Sequence, residues 1–138
     1  MAYRDLDHMT DAFIEVTGNT IDEAFDNAGI SVVDTIVDIK SVENKEDRKI
    51  EIHASDLKSL LYSWLEEIII LTITDGFAGK IFNVKITKNE TYHLVAKISG
   101  EEINFTKHHF KMEIKSPTYH LMEIKDEKPV LMRFLLDL

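Results

Sequence analysis

The hydrophobic pattern changes its period at Asp75-Gly76, and this change constrains the fold more than any other feature. Before this point, the longest apolar patterns repeat every three or four residues, as expected for helices with one buried face. After it, apolar and polar residues alternate, which is the period of strands. The sequence therefore predicts helices in the first half and mainly sheet in the second.

Two helices are predicted. The first begins at TIDE, where Thr20 and Glu23 have the spacing of a capping box, and extends to about Val37. Gly29 within it costs about 1 kcal/mol relative to alanine. The second helix carries the strongest apolar stripe in the chain and is the predicted core helix; the stripe comprises Leu57, Leu60, Leu61, Trp64, Leu65, Ile68 and Ile69.

The strand predictions complete the fold. They are DAFIEVT (11–17), KIEIHA (49–54), the hairpin KIFNVKI (80–86) and YHLVAKI (92–98), then KMEIK (111–115), YHLMEIK (119–125) and VLMRFLLDL (130–138). The stretch ENKEDRK (43–49) predicts a charged loop. Together these elements predict a single α+β domain over 1–138, with two amphipathic helices packed on mostly antiparallel β-sheet in the order β-α-β-α-β-β-β-β-β.

Charge and composition exclude several functions. The chain has 25 acidic and 16 basic side chains, a formal charge of -9, so strong direct nucleic-acid binding through phosphate neutralisation is disfavoured. Cations or a basic protein surface are the favoured partners. The absence of cysteine excludes disulfides and cysteine metal sites. A polar amino-terminal segment and the lack of an apolar run of about 20 residues predict a cytoplasmic protein without membrane association.

Two acidic stretches are candidates for a metal site, since the common phosphate-loop, GxGxxG, GxSxG and HExxH motifs are missing. Asp7, His8 and Asp11 precede and begin the first predicted strand, and hard cations favour carboxylate oxygens. The alternative is that Asp11 caps a turn and His8 lies on the surface. Asp137 follows an apolar run that favours an inserted terminal strand, although a solvated terminal acid is the simpler alternative.

The segment KSPTYHLMEI (115–124) is a third candidate. Pro117 cannot donate to a sheet ladder, so it indicates a sheet edge, a bulge or a strand break that redirects side chains. Lys115, Tyr119 and His120 are then candidate functional residues. The alternative is two strands joined at a corner, with Tyr119 half buried.

The remaining histidines are assigned to exposed positions. Lys107-His108-His109 has the composition of a metal or phosphate patch, but adjacent residues of an extended chain face opposite ways. We therefore predict that it lies on the surface. His53 and His93 are predicted on the solvent-facing sides of strands.

Five stretches together resemble the archease family over essentially the whole chain. They are LDHMTDA near the start, TIDEAFDNAG in the first helix, LLYSWLEEII in the second, EIKSPTYH followed by MEI, and the ending RFLLDL. The family's opening pattern is Asp-His-Thr-Ala-Asp, in which Asp7, His8 and Asp11 are retained here. The resemblance implies a divalent-metal site at Asp11 and Asp137, supported by Asp7 and His8. Oxygen ligands favour Ca²⁺, with Mg²⁺ or Mn²⁺ as alternatives to it.

The resemblance also implies the protein's role. Lys115 and Thr118-Tyr119-His120 match the family's Lys-Ala-Val-Thr-Tyr-His, in which the lysine is functional. Archease is an accessory protein, not an enzyme, that promotes histidine guanylylation and multiple turnover of an RtcB-type RNA ligase in tRNA splicing and RNA repair. A free-standing carboxylate-metal hydrolase and a chaperone-like interaction module are the alternatives.

Overall fold

The computed structural model describes residues 3–6 and 11–138, within which seven strands and three helices are defined. The strands are β1 (Tyr3–Leu6), β2 (Asp11–Gly18), β3 (Glu46–Ala54), β4 (Phe77–Lys88), β5 (Tyr92–Glu102), β6 (Ser116–Lys125) and β7 (Val130–Asp137). The helices are α1 (Ile21–Ile36), α2 (Leu57–Ile69) and the single turn α3 (Phe105–His108). A π-helical turn, Ile70–Thr74, continues α2.

The strands form two antiparallel sheets that share the two long helices. One sheet has the order β1-β2-β7-β6 and the other the order β3-β5-β4. Helix α1 contacts β4 and β2, and α2 contacts β6 and β3, so each helix packs on both sheets. The predicted α+β class is confirmed. In the described part of the chain, no helix has the length and apolar character needed to cross a bilayer.

Two aspartates of α1 bind the exposed edge of the second sheet. Asp22 accepts a hydrogen bond from the backbone N–H of Ile86 at 3.1 Å, and Asp26 accepts one from Val84 at 2.8 Å. β4 is an edge strand, and unpaired N–H groups on such an edge are a template for unwanted pairing. Burial raises the pKa of Asp26 to about 6, against the opposing effect of the hydrogen bond from Val84.

The helices meet around Trp64, which is fully buried as predicted. Its indole N–H donates to the carbonyl oxygen of Phe25 at 2.9 Å, which satisfies the polar end of the side chain inside the core. Gly29 lies at the same contact. A Cβ there would lie 2.7 Å from Cδ2 of Phe82, so the glycine that weakens α1 locally allows β4 to approach the helix.

The predicted loop ENKEDRK is wrong over its second half. β3 already begins at Glu46 and pairs with β5 from there onwards. β3 is an edge strand, so its outward-facing charged residues remain in water while the backbone pairs on one side. Asp47, for example, accepts a hydrogen bond from the Ser99 hydroxyl of β5 at 2.7 Å. A charged composition alone does not exclude such a strand.

The predicted strand KMEIK is also wrong, because residues 111–115 belong to no strand. The backbone N–H of Lys111 instead donates to the carbonyl oxygen of Ile36, the last residue of α1, at 2.7 Å. Ile114 is buried. The segment therefore satisfies the free carbonyl at the end of a helix while anchoring one apolar side chain.

His108 is buried, contrary to the surface prediction for Lys107-His108-His109, whereas His109 is exposed. The backbone N–H of Asn104 donates to His108 Nδ1 at 2.9 Å. This nitrogen is therefore an acceptor, and the ring proton lies on Nε2, which donates to Glu101 at 3.0 Å. The short helix α3 folds the chain inward and separates the two adjacent histidines.

Glu101 is the acceptor on which this cluster converges. Burial would raise its pKa, but hydrogen bonds from the Glu43 backbone, His108 and Lys107 outweigh burial and lower the pKa to about 2. The distances are 2.6 Å from Glu43 N and 3.1 Å from Lys107 Nζ. The carboxylate thus ties β5 to the segment after α1 and to α3.

We predict that Gly29→Ala lowers the free energy of unfolding by about 1–3 kcal/mol, the usual penalty of overpacking a core. Helix propensity alone predicts the opposite, a gain of up to about 1 kcal/mol. Urea denaturation of the wild type and the variant measures whether the free energy of unfolding falls or rises. The same substitution in a Phe82→Leu background should cost less, because the smaller side chain relieves the contact. An equal penalty in both backgrounds would contradict the packing argument.

We predict that Glu101→Gln destabilises the protein by about 2 kcal/mol at pH 7, since hydrogen bonds to a charged group are lost. The folded-state pKa of Glu101 is depressed to about 2, so the carboxylate stabilises the fold above its unfolded pKa near 4.5. That contribution is lost as the pH falls from about 4.5 towards 2. The free energies of unfolding of the wild type and the variant, measured by denaturation, should therefore become more similar as the pH falls over this range. Glu113→Gln, at an exposed glutamate, is the matched control.

Candidate functional site

The candidate site begins with two aspartates at the joined ends of β2 and β7. Asp11 is the first residue of β2 and Asp137 the last of β7, and they are direct partners in the antiparallel register. Directly opposed residues project from the same face, with Cβ atoms about 4.5–5.5 Å apart. The pairing brings together two residues that are 126 positions apart in sequence (137 − 11).

Asp137 is held on both sides, because β7 lies between β2 and β6. Ser116 of β6 is its register partner on the second side, and the backbone N–H of Lys115 donates to the Asp137 carbonyl oxygen at 2.8 Å. The apolar run before Asp137 is buried in the sheet. The terminal acid therefore belongs to an ordered strand, as the inserted-strand prediction required, while its side chain remains exposed.

An open pocket of about 490 Å³ lies beside this pair. Four of the residues selected from the sequence line it, namely Asp11, Asp137, Tyr119 and His120. The other lining residues are Tyr62, Ser116, Pro117, Thr118 and Leu135. Of the remaining candidates, Lys115 reaches the site through its backbone and has an exposed side chain. Asp7 and His8 lie outside the described residues.

The irregular part of β6 sets the position of Tyr119 and His120. Pro117 still pairs with β7, on the edge strand of the sheet, which confirms the edge predicted from its missing N–H. The register then shifts between Thr118 and Glu123, and Leu121 takes the left-handed φ of 61°. The alternative of two strands joined at a corner is wrong, because β6 is one strand with an internal irregularity.

Tyr62 of α2 is a site residue that the sequence did not indicate. Its ring stacks on that of Tyr119, with centroids 4.5 Å apart and planes 10° from parallel. The contact fixes one wall of the pocket against the core helix, since offset aromatic pairs are favourable beyond their buried area. The amphipathic pattern of α2 placed Tyr62 near the edge of its apolar stripe, but not next to a residue 57 positions away (119 − 62).

A second acidic residue of β2 on this face is paired with two arginines. Glu15, four residues after Asp11, accepts hydrogen bonds from Arg4 at 3.0 Å and from Arg133 at 2.8 Å. Hydrogen bonds from the two guanidinium groups, Arg4 first, lower the pKa of Glu15. At the end of the strands, Asp11 is the register partner of Asp137, and like charges directly opposed across a strand pair repel each other.

The donor set fits a hard divalent cation. Two opposed carboxylates supply oxygen ligands that Ca²⁺ and Mg²⁺ prefer, and waters commonly complete such shells. A bound cation would also relieve the repulsion between Asp11 and Asp137. Among the residues that the structure describes, the only group of three or more acidic or histidine ligands close enough to share an ion lies elsewhere, on the other sheet.

Comparisons with known proteins agree on one family. The model of the Archease protein family (MTH1598/TM1083) matches residues 3–138. Protein archease of Pyrococcus abyssi is 41% identical over 120 residues, covering 86% of this chain and 84% of that protein. Protein archease of Methanothermobacter thermautotrophicus is 37% identical over 134 residues, covering 96% and 95%.

Solved structures show the same fold. The solution structure of protein 1598 of Methanobacterium thermoautotrophicum superposes with a TM-score of 0.81 at 33% identity, covering 99% of both chains. The crystal structure of a Thermotoga maritima archease, described as a possible chaperone, has a TM-score of 0.61 at 17% identity, covering 98% of this chain and 96% of that one. With the match of the family model over nearly the whole chain, these similarities establish that the chain belongs to the archease family.

Proposed function

We propose that this protein is a cytoplasmic accessory factor of an RtcB-type RNA ligase, acting in tRNA splicing and RNA repair. It promotes guanylylation of the ligase's active-site histidine and so supports multiple turnover, without joining RNA itself. The observation that carries the proposal is the register pairing of Asp11 with Asp137 beside Tyr119 and His120. It supplies a carboxylate pair at an accessible end of the molecule, next to the segment that matches the family's lysine motif.

Asp11 and Asp137 are proposed to hold a divalent cation, with Ca²⁺ the first choice and Mg²⁺ or Mn²⁺ the alternatives. The cation supplies positive charge and open coordination positions for oxygen ligands. This chain's own contribution is to hold the two carboxylates at a fixed spacing, through β2 on one side and β6 on the other. Asp7 and His8 are proposed as supporting groups.

Lys115, Tyr119 and His120 are proposed to contact the ligase. All three are exposed. Lys115 directly precedes β6 and contacts Asp137 through its backbone, while Tyr119 and His120 of β6 line the pocket with the carboxylate pair. Tyr119 is held by the stack on Tyr62, which reduces the side-chain entropy lost when a partner binds. The net charge of -9 favours a basic protein surface as partner over a direct contact with RNA.

The exposed aromatic pair Phe105 and Phe110 favours a second candidate, a chaperone-like interaction module. The two residues are 68% and 48% exposed, and their rings meet edge to face with centroids 5.9 Å apart. A surface of this kind binds apolar segments of other proteins. This candidate predicts binding to unfolded client proteins that does not depend on Asp11, and it is compatible with the description of the Thermotoga maritima archease as a possible chaperone.

We predict that Asp11→Asn and Asp137→Asn each weaken Ca²⁺ binding by at least about tenfold in isothermal titration calorimetry, because even outer-shell partners of metal ligands contribute 10- to 100-fold. The fold should be retained, since both residues lie at strand ends. Asp126→Asn is the matched control: it makes the same charge change at an exposed aspartate before β7 begins. If all three variants bound Ca²⁺ equally, the carboxylate pair would not be the site.

We predict that the same two variants lose stimulation in a self-guanylylation assay of the ligase with GTP and Mg²⁺. Lys115→Ala should also lose stimulation while keeping Ca²⁺ affinity, because its proposed contact is with the ligase. Lys125→Ala, at the exposed far end of β6, is its control. Full stimulation by both aspartate variants would refute the proposal. Metal-dependent turnover of phosphoesters by this protein alone would instead favour a hydrolase.

A further inference from the structure

A second group of metal-ligating side chains lies on the outer face of the β3-β5-β4 sheet. Residues alternate along β3, so that Ile52 faces the core while Glu51 and His53 face outward. His53 is the direct register partner of His93 on β5. The sheet therefore places two imidazoles and a carboxylate side by side. The prediction that both histidines lie on solvent-facing sides of strands is confirmed.

The side chain of His93 contacts both of the others. The imidazole rings of His53 and His93 stack with their centroids 4.2 Å apart and their planes 5° from parallel. The carboxylate of Glu51 reaches diagonally to His93, with Oε2 and Nε2 2.6 Å apart. One ligand atom from each residue can be chosen so that all three lie within 4.8 Å of one another.

The surroundings keep the donors accessible. The side chains of Glu51 and His93 are 57% and 34% exposed, so an ion can reach them without opening the core. Lys97, across from Lys49, is already paired with Asp47 at 3.5 Å.

We propose that Glu51, His53 and His93 form a binding site for a borderline first-row transition-metal ion of the Zn²⁺ class. Imidazole nitrogen suits zinc, copper and nickel, whereas Ca²⁺ and Mg²⁺ prefer oxygen ligands. Two histidines with one carboxylate are also a common zinc ligand set, which leaves a fourth position open. The site is separate from Asp11 and Asp137, which lie on the other sheet.

The pairing of adjacent strands gives the site its rigidity. His53 and His93 belong to strands paired along nine successive register positions, from Glu46 opposite Gly100 to Ala54 opposite Tyr92. Their Cβ atoms are therefore fixed before an ion arrives, and only side-chain torsions need to adjust. A metal bound here joins β3 to β5 at the ends where His53 and His93 lie, near Ala54 and Tyr92.

The test is isothermal titration of the untagged full chain with Zn²⁺, together with the melting temperature with and without Zn²⁺. We expect one Zn²⁺ per chain and a raised melting temperature. His53→Gln and His93→Gln should each weaken Zn²⁺ affinity at least about tenfold and abolish the thermal shift. Two controls should retain the Zn²⁺ affinity and the thermal shift of the wild type. They are His109→Gln, at an exposed histidine outside the group, and the Asp11→Asn/Asp137→Asn double variant.

Spectroscopy gives a second readout that does not depend on stability. In the wild type, Zn²⁺ should shift the imidazole nitrogen resonances of His53 and His93 and leave those of His109 unchanged. Unchanged resonances, or equal Zn²⁺ affinity in the wild type and both histidine variants, would overturn the proposal. Loss of Zn²⁺ binding in the double aspartate variant with the histidine variants unaffected would also overturn it, because the ion would then bind the carboxylate pair.

Discussion

The register between β2 and β7 is the constraint on which the candidate site depends. One face of β7 is buried against the helices, so a shift of one residue would turn its apolar side chains to water and its polar ones into the core. The buried side chains on that face are Val130, Met132, Phe134 and Leu136. Burial thus fixes which face of β7 points inward, and in the observed register Asp137 lies opposite Asp11 and Arg133 opposite Glu15.

The same register decides which charged side chains lie opposite one another on this face. Glu15 of β2 accepts a hydrogen bond from one arginine on each adjacent strand, Arg4 of β1 and Arg133 of β7. At the strand ends, Asp11 is the register partner of Asp137. Like charges directly opposed across a strand pair repel each other, and a bound cation would reduce that repulsion. The open pocket beside the pair leaves room for such an ion.

Polar side chains hold the second sheet to the rest of the fold. Asp22 and Asp26 occupy backbone donors of the edge strand β4, where another chain could otherwise pair. On β5, Glu101 accepts hydrogen bonds from two separate segments, from Glu43 after α1 and from Lys107 and His108 of α3. These contacts are directional, so they orient the second sheet in a way that apolar packing alone does not.

Local sequence determined the elements and their inward faces: the capping box at Thr20, the apolar stripe of α2 and the alternation of the later strands are short-range patterns that burial enforces. The family resemblance, also read from the sequence, selected Asp11 and Asp137. Local pattern failed where a charged segment paired as the edge strand β3, and where residues 111–115 closed the end of α1 instead of joining a sheet.

Only the tertiary structure decided which distant side chains meet. Tyr62 stacks on Tyr119, and His53 lies opposite His93, because strand register and helix packing act between segments far apart in the chain. Gly29 shows how a local effect and a tertiary effect of the same residue can differ. Its local effect on α1 is a weaker helix, whereas its tertiary effect is to leave space for Phe82. Periodicity specifies which face of an element is buried, and long-range packing specifies what lies against that face.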